Sequence, residues 1–152
     1  MPPRSTIELI RSALLAILFL GFAGTGIELL LLKHTEEIWQ FLPVALLAIG
    51  LVAIAWIAIA KSRPAVVAFG LLMGCFIVAG GIGLVQHFRG NIRDAGESNP
   101  SLAGSELYRE AIMGATPALA PGTMIQFGLL GLVFTFRHPA LRGAPLDPEE
   151  NA

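Results

Sequence analysis

Eight side chains that can hold a proton, a metal or a polar ligand gather around the turns and helix ends of an otherwise apolar chain: Glu28, His34, Glu36, Glu37, Gln40, Gln86, His87 and Gln126. Their types and spacing allow three chemistries. Glu28 sits inside the run GFAGTGIELLLL, where a lone acid costs about 2.5–3.5 kcal/mol at mid-membrane, and less near the interface. It can carry a proton, or accept a hydrogen bond that ties one helix to the next. His34 and Glu37 stand three residues apart, a spacing that lets two ligands share one metal on a helix, with His87 as a third candidate. His34 and His87 could also face each other as haem ligands if both lay at bilayer depth. Metal sites within helical bundles, however, use paired E-x-x-H motifs from several helices, and this chain has neither E-x-x-H nor H-x-x-x-H. The metal candidates are therefore His34, Glu37 and His87, and the candidate polar or proton site is Glu28 with Gln40, Gln86 and Gln126. The plainer reading makes these groups interfacial, with Glu28 hydrogen-bonded to a neighbouring span. No cofactor is expected, although the histidines leave haem or metal open.

The elements that would position these groups follow from composition. Of 152 residues, 55% are hydrophobic and 14% charged, whereas a soluble domain carries roughly 25% charged residues to face water. The excess apolar surface belongs in lipid. A formal net charge of −1 lacks the basic face needed to neutralise phosphates, so nucleic acid is not an expected partner. The single cysteine, Cys75, lies in an apolar run and is read as a small packing residue. No nucleophile elbow, P-loop, dinucleotide fingerprint or zincin motif is present, and no catalytic residue is expected.

A helix needs about 20 mostly apolar residues to cross a bilayer. The spacing predicts spans over about 12–32, 38–60, 64–86 and 117–136, the last reaching full length only if it starts at Pro117. The short connections KHTEE and KSRP make consecutive spans antiparallel neighbours. The expected fold is an all-α membrane protein: a four-transmembrane-helix antiparallel bundle over 1–137, with an outer loop over 87–116. Thr35 is the expected cap of the second span, with Glu36 and Glu37 in its first turn, and Pro43 bends its entry. Orientation follows the basic residues. Arg4, Arg11, Lys61, Arg63, Arg137 and Arg142 lie on one side, against Lys33, Arg89, Arg93 and Arg109 on the other. That bias puts both termini in the cytoplasm, in a multi-pass protein of the plasma (inner) membrane. The first span is expected to be retained, because no A-x-A site follows it; a cleaved signal peptide is the alternative.

In lipid, helices approach where residues are small. Gly70, Gly74 and Gly81 share one face of the third span, Gly128, Gly131 and Thr135 one face of the fourth, and Gly21, Gly24 and Thr25 one face of the first. Glu28 falls in the same sector as that last group and is expected to face a neighbouring helix. In the third connection the sequence reads as loop up to Ser101. A short amphipathic helix capped by Ser105 follows, with Leu107, Tyr108, Ala111, Ile112 and Ala115 on its apolar face. It suits an anchor at the bilayer surface or a lid over the bundle mouth. Residues 138–152, rich in proline and acid, read as a disordered cytoplasmic tail.

The combination GTGIELLLLKHTEE, HFRGN and GATPALAPG around four spans resembles small multi-pass integral membrane proteins of bacteria that carry no assigned activity. In size the layout is also similar to DoxX-like membrane proteins. The resemblance implies a layout and no reaction. The expected role is that of a non-enzymatic structural or interaction subunit, partnered by lipid and by a second copy or another membrane protein. The rival is a redox or transport component that uses Glu28, His34, Glu37 and His87.

Overall fold

The computed structural model describes residues 5–34, 38–114 and 119–142. Thr35, Glu36 and Glu37, with the capping and metal roles expected of them, lie outside the described residues, as do Ala115 to Ala118 and everything after Arg142. The described chain is helical: α1 (Thr6–Leu31), α2 (Ile38–Ala60), α3 (Arg63–Ser98), α4 (Gly104–Ile112) and α5 (Gly122–Thr135), followed by a 3-10 turn at Pro139–Leu141. No strand occurs among the described residues.

Three of these helices are long and apolar enough to cross a membrane. At 1.5 Å per residue, α1, α2 and α3 measure roughly 39, 35 and 54 Å, against a hydrocarbon layer of about 30 Å. α5 has 14 residues, roughly 21 Å. The turn from Leu119 to Pro121 precedes it, held by bonds from Gly122, Thr123 and Met124 N–H to the carbonyls three residues back.

Local chemistry fixes the ends. Ser5 and Glu8 cap α1 reciprocally: the Ser5 hydroxyl accepts from Glu8 N–H at 3.3 Å, and Ser5 N–H donates to the Glu8 carboxylate at 2.9 Å. This capping box satisfies two otherwise orphaned groups and starts the helix six residues before the expected span. α2 matches its expected bounds, and Pro43 sits inside it without ending it.

The described structure departs from the sequence reading in the third connection. α3 does not stop near Gln86; it runs on to Ser98. The residues that read as loop extend it by more than three turns, with Arg93 and Glu97 paired one turn apart at 4.0 Å. Gly90 and Gly96 cost this extension about 1 kcal/mol each in helix propensity; packing against α4 offsets that cost. Asn91 is buried and donates its side-chain amide to the Ala111 carbonyl at 2.8 Å. Phe88 and Tyr108 stack with centroids 6.1 Å apart and planes 12° from parallel. The short amphipathic helix is therefore present, but as described it leans on the projecting end of α3. Ser105 lies within α4 and not at its cap, which is Ala103.

The centre is apolar. Phe22 of α1 stacks on Phe76 of α3 at 4.9 Å and meets Phe127 of α5 edge-on at 5.2 Å. Gly50 of α2 lies beneath the same ring: a methyl group there would come within 2.6 Å of it. One phenylalanine of α1 thus touches the three other apolar helices. Leu18, Leu47, Val66, Phe69 and Met73 complete an interior with no more than 1% exposure each. Along α3 and α5 the residues that meet run in opposite order, Gly70 against Thr135 and Gly80 against Pro121 and Ile125.

The expected glycine faces are only partly used. Gly128 abuts Met73 and Ile77, and Gly131 abuts Met73 and Phe69, so the stripe on the last helix is a packing face. Gly21 meets Phe127 and Gly70 meets Thr135. Gly24, Gly74 and Gly81, by contrast, look onto open space. The physical reason is that a glycine becomes a contact only where a large side chain fills the notch it leaves, and the large partners lie on other faces.

At the end where α1 begins, Arg11 donates to the carbonyls of Phe136 and Arg137 at 3.1 and 3.0 Å. These are carbonyls at the C-terminus of α5, where a cation is favourable. The 3-10 turn packs back on α3. Residues 138–141 are thus part of the folded body, where the sequence reading began a disordered tail.

Candidate functional site

His34 is positioned by the way α1 ends. Lys33 adopts a left-handed conformation, φ 52°. Its N–H bonds to the Leu30 carbonyl at 3.1 Å, and His34 N–H bonds to the Leu29 carbonyl at 2.9 Å. This is a Schellman closure with lysine in the position glycine usually takes. It turns the chain sharply and directs the His34 ring toward His87 on α3, with centroids 6.4 Å apart and planes tilted by 52°. Both rings are half-buried. Burial first, and the neighbouring His87 second, hold the His34 imidazole below its ordinary range. A neutral ring with one donor and one acceptor nitrogen is the result near neutral pH.

The other candidates divide. Glu28 is exposed on α1, where its glycine sector led us to expect a side chain turned toward a neighbouring helix. Around α1, Glu28 lies about 20° from Gly21 at 100° per residue, and Gly21 packs on Phe127 of α5, whereas Gly24 in the same sector meets nothing. Gln40 is part-buried and engaged in a polar or ring interaction. Gln86 is exposed on the outer face of α3, and Gln126 is exposed on α5. Glu37 lies outside the described residues. Among the six candidates that lie in the described residues, the fold brings the rings of His34 and His87 together. Among the described residues no group of three His, Cys, Asp or Glu side chains could hold a metal ion. Two imidazoles at this separation can exchange a proton through one intervening group, or contribute to a site completed from elsewhere.

A second polar locus escaped the sequence reading. Asn91 is the buried polar residue of the described chain, 3% exposed, and it anchors α4 to α3. Its signal was present: Phe69, Met73, Phe76, Gly80, His87 and Asn91 recur on one helical face, and the register continues past the apolar run into polar residues. At the opposite end His138 caps the 3-10 turn, its Nδ1 accepting from Ala140 N–H at 3.2 Å. Burial and then the Arg11 charge keep its imidazole below the usual range.

Compared with family models, with curated proteins and with solved structures, the chain matches none of them.

Proposed function

We propose that the chain is a small integral membrane protein in which α1, α2, α3 and α5 cross the bilayer as a four-span antiparallel bundle, serving as a structural or interaction subunit that packs against itself or a membrane partner. The observation that carries this reading is how the space between the helices is filled. Phe22, Phe69, Met73 and Phe76 occupy it to near-complete burial, while Leu20, Leu31, Val52, Ile59 and Leu71 turn outward with more than two-thirds of their surface exposed. Large apolar side chains on the outside need lipid or another apolar surface. Counted from Leu119 through Thr135, the last apolar segment is about 25 Å long, enough for a thinned or locally adapted bilayer. Arg11, Lys61, Arg63, Arg137 and Arg142 at one end support cytoplasmic termini in the inner membrane.

Cysteine labelling in a Cys75→Ser background tests the layout. Ser101→Cys should react from outside intact cells and Arg142→Cys only after permeabilisation. Mild-detergent purification with mass spectrometry tests the role. A stoichiometric partner or a defined self-assembly is expected; a monomer that co-purifies with nothing but carries a bound group overturns it.

The approach of His34 and His87 favours a second reading, a redox or transport component using Glu28, His34, Glu37 and His87. Stoichiometric metal, or a haem absorption band lost in His87→Ala, would establish it in place of the first.

A further inference from the structure

The face of α3 that points away from the other helices borders about 970 Å³ of open space and is lined by Val78, Gly81, Ile82, Val85, Gln86, Arg89, Gly90 and Arg93, all of this one helix. Its two ends differ in chemistry. The inner end is apolar: Val78, Ile82 and Val85 are exposed, and methyl groups added at Gly74, Gly81 or Gly90 would meet nothing. The outer end carries Gln86 and two guanidinium groups. From Val78 to Arg89 the helix rises roughly 16 Å, about half of a 30 Å hydrocarbon layer. An apolar strip one leaflet deep thus ends in cations at the depth of the headgroups.

We propose that this face binds one anionic phospholipid, an acyl chain lying along Val78, Gly81, Ile82 and Val85 and the phosphate held by Arg89 with Gln86 and Arg93. Guanidinium suits phosphate because its planar fork donates two parallel hydrogen bonds. Arg89 carries the larger share, since Arg93 also faces Asp94 at 3.6 Å and Glu97 at 4.0 Å. A second copy of the chain fits the face less well, because two-fold pairing of parallel helices through it would bring each Arg89 toward its own counterpart. A free phosphate would leave the apolar strip unused. The inference rests on α3 crossing the membrane, as proposed above.

The test is native mass spectrometry of the detergent-purified, delipidated full chain titrated with palmitoyl-oleoyl phosphatidylglycerol or phosphatidylcholine. The first phosphatidylglycerol should bind at least fivefold more tightly than phosphatidylcholine. Arg89→Ala should weaken it about fivefold, the worth of one basic residue at an anionic surface, and Arg93→Ala less. Gly81→Leu, which fills open space and disturbs no packing, should weaken both lipids, and Lys61→Ala at the other end should change neither. Equal binding of the two lipids, an unaffected Arg89→Ala, or competition by inorganic phosphate at matched concentration would overturn the proposal. So would efficient oxidative dimerisation through Cys75, which is exposed on the same helix face, because it would place a second copy against that face. Recovery of the chain in the soluble fraction would instead overturn the membrane reading itself.

Discussion

The side-chain amide of Asn91 donates to the backbone carbonyl of Ala111 at 2.8 Å, and both residues are buried. This bond joins the projecting end of α3 to α4, and Gly114 packs directly against the same side chain. Removing a buried donor leaves the carbonyl unsatisfied, at a cost of about 1–3 kcal/mol. Asn91→Ala should release α4 while leaving the apolar helices packed. Hydrogen exchange should then accelerate over 104–112 and stay unchanged over 66–80. Asn91→Asp should do the same above the carboxylate's titration, since it sets an acceptor against an acceptor. Uniform protection in both variants would show that α4 is held by its apolar contacts alone.

The contact between Gly128 and α3 leads to a second expectation. A methyl group at Gly128 would lie 2.6 Å from the Met73 backbone carbonyl, and backbone cannot move aside as a side-chain tip can. Gly128→Ala should lower stability by about 1–3 kcal/mol, the usual range for overpacking. Gly74→Ala should be neutral or gain up to about 1 kcal/mol from helix propensity, because nothing lies within reach of the added carbon. Thermal unfolding in one detergent separates them; equal midpoints would count against a close α3–α5 contact.

These two glycines also show what could be read from residue types. Helix positions were legible because apolar length is a one-dimensional property: α2 matches its expected bounds, α3 contains its span, and α1 contains all of its span but Leu32, which caps it. Which face of a helix packs is two-dimensional, and small residues alone do not decide it. Gly50 and Gly128 are contacts because Phe22 and Met73 reach them; Gly24, Gly74 and Gly81 have no such partner, and Glu28, in the sector of Gly24, is exposed. The long reach of α3 was hidden by composition, since GNIRDAGES carries two glycines and five polar or charged residues. Its helicity depends on tertiary contacts to Phe88 and Asn91, which a local reading weighs too lightly. The meeting of His34 and His87 needs the turn at Lys33, and lysine in a left-handed conformation gives no sequence signal.

That turn supplies a third expectation. Lys33, with φ 52°, occupies a conformation that costs an L-residue roughly 1–2 kcal/mol and glycine almost nothing. Lys33→Gly should therefore stabilise the end of α1 by about 1 kcal/mol, less whatever the lysine charge contributes at a helix C-terminus. The His34–His87 geometry should persist, and double electron–electron resonance between labels flanking both residues would read it. A destabilised variant would mean that the charge outweighs the backbone strain.

The histidines at the two ends give a pH dependence with a definite sign. His34 and His138 are both held below the ordinary imidazole value, mainly by burial, with His87 and Arg11 as the respective secondary causes. An unfolded chain protonates its histidines near pH 6.5, before the folded chain does. The unfolded state then binds more protons, and stability falls as the pH falls. The stabilising contribution is complete above about pH 6.5 and is lost progressively down to the lowered folded values, below which it no longer changes. Protonation of His138 also removes the Nδ1 acceptor for Ala140 N–H, and protonation of His34 sets a charge beside His87. Between pH 7.5 and 5.5 the unfolding midpoint of the wild type should drop. His34→Gln combined with His138→Gln should flatten that drop, since glutamine keeps an acceptor and does not titrate. Proton resonances of the two rings should titrate with midpoints below 6.5; midpoints at or above that value, or an equally steep profile in the double variant, would refute the assignment.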